Sequence, residues 1–173
     1  MKKLLLLAVL AACCACYRKN IEKASGRTFL VYPAVEGASG NKKCRDFMGS
    51  CMLFQTDKPL FQLDSFEFRA VPTTSPGKHN QIELFLAPEQ SSAFEAIPDR
   101  FIGEGKRLAI VYEGKILHAP KLKAKIRTTA LVIDFCNAHL YKIMLSSLRG
   151  EMPPDYKLGD DKYWNMCDPV SEK

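Results

Sequence analysis

Residues 106–120 read KRLAIVYEGKILHAP, and this stretch decides the class of fold. Arg107 to Tyr112 is a strongly apolar, β-branched run and predicts a strand. Glu113-Gly114 is a two-residue turn, because glycine accepts the positive backbone angle that such a turn demands. Lys115 to His118 then predicts the return strand, and Ala119-Pro120 ends it. One apolar hairpin needs further layers to cover it, so the rest of the chain must supply partners.

Outward from the hairpin those partners are legible. Downstream, Leu131 to Phe135 predicts another strand. Leu140, Ile143, Met144, Ser147 and Leu148 fall on one helical face, closed by Gly150 and then Pro153-Pro154. Upstream, Pro88 and Glu89 suit a helix start, with Phe94, Ile97 and Phe101 on one face; Pro98 shortens or bends it, and Gly103 and Gly105 end it. Phe66, Phe68 and Ala70 alternate with charged residues as in a half-buried strand. Gln81 to Leu86 answers them across the turn PTTSPGKHN. Met52 to Phe54 is a short apolar run. Thr28 to Tyr32 predicts a strand stopping at Pro33, and residues 34–50 read as a loop. Strands and two helices without regular β-α-β alternation predict an α+β sandwich, a mixed or antiparallel sheet with both helices on one face.

Residues 107–120 also resemble the head subdomain of the first periplasmic domain of the SecD protein-export family. The shared features are the Leu108 to Val111 strand, the Glu113-Gly114 turn, Lys115 on the return strand, and Ala119-Pro120. Lys58-Pro59-Leu60, the Phe66 strand, Ile82 to Leu86, Ile126, Ile133, Phe135 and the run from Leu148 to Pro153 extend the likeness over residues 52–154. The resemblance implies a ferredoxin-like α+β fold and contact with polypeptides outside the membrane. It departs from the family at Thr128, Thr129 and Asp134, where glycines are usual. The family's transmembrane helices have no counterpart here, so the resemblance does not extend to their proton-driven activity.

The chain opens with MKKLLLLAVLAACCAC: two lysines, a short apolar run, then small residues before cysteine. That order is a secretory signal peptide, too short in its apolar region to span a bilayer as a stable helix. Leu10-Ala11-Ala12-Cys13 resembles the bacterial lipobox, which implies cleavage before Cys13 and acyl chains carried on that cysteine. Residues 1–12 are thus expected to be removed, and residues 13–27 to be anchor and tether. Residues 28–154 form the domain and residues 155–173 a polar tail, with Tyr156, Tyr163 and Trp164 as docking points. The expected location is the cell envelope, on the extracytoplasmic side: periplasmic, or outer-membrane if the cell is Gram-negative.

Removing residues 1–12 of 173 leaves enough chain for one domain with a real core. The formal net charge of +6 reads as mild and dispersed, which does not imply nucleic acid. Of the 7 cysteines, six remain once Cys13 is set aside, an even number that suits an oxidising compartment. Cys44 with Cys51 is the expected local disulfide. Cys136 with Cys167 is the expected bridge to the tail.

Catalytic patterns are missing from the sequence. Cys136 and His139 stand three apart with no third group signalled. His79 and His118 read as turn and strand-end residues. Asp155, Asp160, Asp161 and Glu151 lack the glycine spacing of a calcium loop. An enzyme, a metal and a cofactor are therefore not expected. Expected instead is a lipid-tethered protein that binds exported polypeptides or the export machinery by adding a strand to an open sheet edge. The hairpin is expected to position that edge, through Leu108, Val111, Glu113, Gly114, His118 and Pro120. The alternative is a structural envelope component that holds a folded partner or the cell wall and reuses the head as scaffold.

Overall fold

A computed structural model describes residues 20–152, apart from positions 25, 39, 65 and 74–78, together with Tyr156. The strands are β1 (Ile21–Lys23), β2 (Phe29–Glu36), β3 (Arg45–Phe47), β4 (Ser50–Phe54), β5 (Phe61–Leu63), β6 (Glu67–Val71), β7 (Asn80–Phe85), β8 (Lys106–Tyr112), β9 (Lys115–His118) and β10 (Ala130–Phe135). The helices are α1 (Pro88–Glu95) and α2 (Ala138–Arg149), with a single 3-10 turn at Asp99–Phe101. The class is α+β, and all the pairing is antiparallel.

The strands divide between two sheets where the sequence suggested one. Four form the order β1-β6-β7-β10, and six form β3-β4-β2-β8-β9 with β5 beside β2. In the larger sheet the end strands β3 and β9 approach each other, so that sheet curls. Phe29, Val31, Leu63, Leu108, Ile110 and Tyr112 face the smaller sheet and the helices, joining Phe68, Leu84, Ile133 and Leu148 in the principal core. Ala34, Met52, Ala109, Val111 and Ile116 fill a second core on the opposite face, inside the curl.

β2 runs through Pro33 rather than stopping there. Its partner on one side changes from β5 to β4 at this position, and the Pro33 carbonyl accepts from Gln55 N at 2.8 Å. The missing N–H thus falls at a gap in the neighbouring edge, where no ladder bond is lost. Residues 34–50, read as loop, hold the end of β2 and all of β3. The stretch read as tether contributes β1, paired with β6 from Ile21 to Lys23 and fastened to α2 by Glu22, which takes two 2.7 Å bonds from Arg149.

α1 ends before Pro98, and the 3-10 turn follows as a separate piece, because proline lacks the N–H that would continue the helix. Gln90, buried at the third helical position, accepts from Ala87 N at 2.9 Å and donates to the Asp64 carbonyl at 2.7 Å. α2 starts on Asn137, whose side chain accepts from His139 N and Leu140 N. It ends at Gly150 in the left-handed conformation.

Cys44 and Cys51 are bonded across the base of the β3–β4 hairpin, with Cα atoms 5.2 Å apart. Cys136 is also disulfide-bonded. Cys13, Cys167, Tyr163 and Trp164 lie outside the described residues, whereas Tyr156 packs against the principal core. Replacing Cys44 and Cys51 together by serine releases a short loop, and the chain-entropy argument gives a stability loss of about 2–3 kcal/mol. Denaturant unfolding of both proteins measures it, and an unchanged midpoint contradicts the assignment.

Candidate functional site

The expected binding hairpin is present, with Glu113 (φ 46°) and Gly114 (φ 79°) at its turn, but most of it faces inward. Leu108 is 1% exposed and Val111 3%; one enters the principal core, the other the curled core. β8 is hydrogen-bonded to β2 on one side and to β9 on the other. Leu108 and Val111 therefore offer a partner neither side chain nor free backbone, which corrects the expectation for both. The Pro120 carbonyl accepts from Leu108 N at 3.0 Å, tucking the strand end down. Glu113 and Gly114 are exposed, and Glu113 lies 3.4 Å from Arg27.

An open edge lies instead on β10, one of the two terminal strands of the smaller sheet among the described residues. Leu86 N donates to the Thr129 carbonyl at 2.9 Å. Antiparallel bonding alternates, so Leu131, Ile133 and Phe135 turn their backbone groups toward β7. Ala130, Val132 and Asp134 turn theirs outward. Thr128 Oγ1 accepts from Ala130 N and donates to the Ala130 carbonyl, which closes the first of these positions. Val132 and Asp134 remain as a short window. The Val132 side chain is 40% exposed, and Asp134 accepts from Gln81 Nε2 at 2.7 Å.

Beside the end of this window is a narrow apolar slot. Phe47 and Met48 from the hairpin tip face Ile116 and Leu117 of β9 across it. Phe135, Leu140 and Met144 complete the lining, next to Cys136 and Asn137. Its free volume is about 20 Å³, room for one water-sized group. Nothing larger enters unless a side chain moves, and methionine is the side chain that moves most readily. Met48 has a positive φ of 51° and is 43% exposed. A bulky apolar residue in that conformation is unusual, because the first position of such a turn favours Asn, Asp or Gly. The sequence contained a signal for this, the Met48-Gly49 pair inside the stretch read as loop.

His118 closes the end of β9 near Asp134. Burial holds its imidazole below the usual 6.5, against the opposing pull of the Asp134 carboxylate. His139 contributes its backbone N–H to the α2 cap. With Cys136 in a disulfide, its sulfur is not a free nucleophile. Among the described residues no group of three or more His, Cys, Asp or Glu side chains is arranged to hold a metal ion; Asp155, Asp160 and Asp161 lie outside them. No described helix is long and apolar enough to cross a membrane.

No protein-family model matches the chain, and no curated protein matches it. Among solved structures, two resemble it. The likeness is to SecDF. The first, a membrane component that enhances protein export, is 19% identical over 75% of this chain and 65% of its own, with a TM-score of 0.47. The second, SecDF in a super-membrane-facing form, is 21% identical over 63% of this chain and 17% of its own, with a TM-score of 0.41. The chain spans less than two thirds of either protein, and at these scores activity and partners do not carry over.

The His118 environment has a measurable consequence. Its folded state favours the neutral imidazole, so the unfolded chain takes up the proton first as pH falls. Its contribution to stability is complete above 6.5 and declines as pH drops through that value toward the folded one. Glu22, held low by its bond from Arg149, loses its contribution only in the carboxylate range around and below 4.5. Melting temperature should fall between about pH 7.5 and pH 5.5, and His118→Gln should flatten that segment of the profile. An identical slope in the variant excludes His118 as its source.

Proposed function

We propose that this chain is a membrane-tethered envelope protein that binds extended polypeptide at the β10 edge without catalysing a reaction. The observation carrying this reading is the pair of outward backbone positions at Val132 and Asp134, set beside a slot lined by Met48 and Met144. An added strand pairs with the backbone, and a flexible methionine lining accepts varied side chains. The sequence resemblance to the SecD head suggests exported chains as the partner class. Residues 1–13, with their lipobox pattern, support anchoring through acylated Cys13 on the extracytoplasmic side.

Affinity should be low. Two residues offer up to four backbone bonds at roughly 1 kcal/mol each, which corresponds to about millimolar binding, improved somewhat by contact with the slot. Titrating an unfolded exported protein should therefore shift the amide resonances of residues 130–137 and of the 47–49 turn at high micromolar to millimolar concentration. Met48→Asn separates binding from folding. Asparagine suits the positive φ, so the variant should be more stable by about 0.5–1 kcal/mol, yet bind peptide several-fold more weakly. Weaker binding together with lower stability points to a purely structural Met48. No shifts at all, with stoichiometric capture of one folded envelope protein, favours the scaffold alternative.

Anchoring is tested separately. Cys13→Ser should abolish fatty-acid labelling and leave the precursor uncleaved at this position. Labelling that persists in the variant moves the anchor to another cysteine.

A further inference from the structure

The connection between β9 and β10 carries a feature that the polypeptide edge does not use. Residues 119–129 read APKLKAKIRTT. Lys121, Lys123, Lys125 and Arg127 are all exposed, while Leu122 is 1% exposed and Ile126 packs against the principal core. The two apolar side chains pin the connection down as a strap and leave the four cations on its outer side. Backbone bonds hold its first half: Leu122 N to the Lys106 carbonyl at 2.8 Å, and Gly103 N to the Leu122 carbonyl at 2.9 Å. The cations are thus presented on a fixed ridge rather than a loose tail.

The ridge also concentrates the charge of the molecule. Residues 119–129 contain three Lys and one Arg and no Asp or Glu, so the strap itself carries four positive charges. Lys125 meets Asp99 at 3.2 Å in an exposed pair, and Arg107 is ion-paired with Glu36. Lys121 and Lys123 border an open cleft of about 530 Å³ that Glu36 and Glu104 share. The charge is localised here, where its spread along the sequence suggests a dispersed excess.

We infer that this ridge docks on an anionic lipid surface. Lysine predominates in it, and a compact ammonium charge suits a plane of headgroup phosphates better than the forked recognition of one phosphate. Among the described residues no aromatic side chain stands among the four cations to stack a base, and the nearby Phe101 is buried beneath Arg100, which disfavours single-stranded nucleic acid. Clusters of four or more cations near a charged leaflet gain about fivefold in partitioning per residue, within the Debye length of about 10 Å at 0.1 M salt. The inference draws on the proposed tether, which would keep the ridge near a membrane, and not on polypeptide binding.

The full chain, added to vesicles of phosphatidylcholine with or without phosphatidylglycerol, tests it. Association with neutral vesicles reads the N-terminal segment. The increment with anionic lipid reads the ridge. Lys121→Gln with Lys123→Gln should reduce that increment about 25-fold at 0.1 M salt and leave the neutral baseline and the melting temperature unchanged. Amide hydrogen exchange should slow within residues 121–127 on anionic vesicles, and high salt should reverse it. Equal exchange on both kinds of vesicle, or protection elsewhere in the chain, overturns the inference. So does retention of a soluble polyanion such as polyphosphate without vesicle association, which would assign the ridge to a macromolecular partner. Loss of the neutral baseline alone would count against the tether and leave the ridge standing.

Discussion

The fold depends on the ladder between β2 and β8, which joins Leu30–Val35 to Lys106–Val111 across more than seventy residues of chain. β8 is buried on both faces from Leu108 to Tyr112, and β2 is buried on one face and largely half-buried on the other. Leu108, Ile110 and Tyr112 enter the principal core while Ala109 and Val111 enter the curled one, so this pair of strands is the wall shared by two apolar layers. Tyr112 extends the wall's reach. Its ring lies 5.0 Å from that of Phe29, and its hydroxyl meets Ser147 on α2 at 2.6 Å in a fully buried pair. Burial raises the phenol above its ordinary value, and either hydroxyl of the pair can be the donor. A strand so enclosed cannot also be an edge, and the open backbone is displaced to β10.

That displacement shows where sequence reasoning holds and where it stops. The apolar run at 107–112, the Glu113-Gly114 turn and the return strand were legible because each is a local signal: β-branched residues, a glycine able to take positive φ, and a change of polarity. Which strand lies outermost is not local. It depends on β2 finding β8, and on β7 finding β10, through contacts whose partners are dozens of residues away. β1 was hidden for a related reason. Ile21 is the one large apolar residue among Ile21–Lys23, too little for a pattern. The strand forms because β6 offers an edge and Arg149 offers Glu22 a partner.

Other features carry a weaker signal in the sequence. The alternation in KLKAKIR is the pattern of a half-buried segment with charged outer positions, and the structure gives it that character without making it a regular strand. Phe47-Met48-Gly49 has the aromatic–X–Gly form of a tight hairpin turn. Its position in a glycine- and lysine-rich stretch made loop the natural reading. The disulfide at Cys44–Cys51, by contrast, followed from spacing and compartment alone. Its structural effect reaches further than loop restraint, since it fixes the base of the hairpin whose tip carries Met48 into the slot.

The two surface features, the β10 edge and the lysine ridge, are mechanically one object. The strap leaves β9 at His118, carries the four cations, and enters β10 at Ala130. β9 supplies Ile116 and Leu117 to one side of the slot, and β10 supplies Phe135 to its lining. Thr128, one residue beyond Arg127, occupies both outward backbone groups of Ala130 and so sets where the open window begins. A surface that grips the ridge therefore grips the connection between the two strands beside the slot, and the apolar anchors Leu122 and Ile126 transmit that hold to the principal core. Because the strap is pinned at both ends by packing and backbone bonds, docking would orient the domain without remodelling it. The open window would then lie at a fixed height above the lipid, set by the short path from Arg127 to Val132.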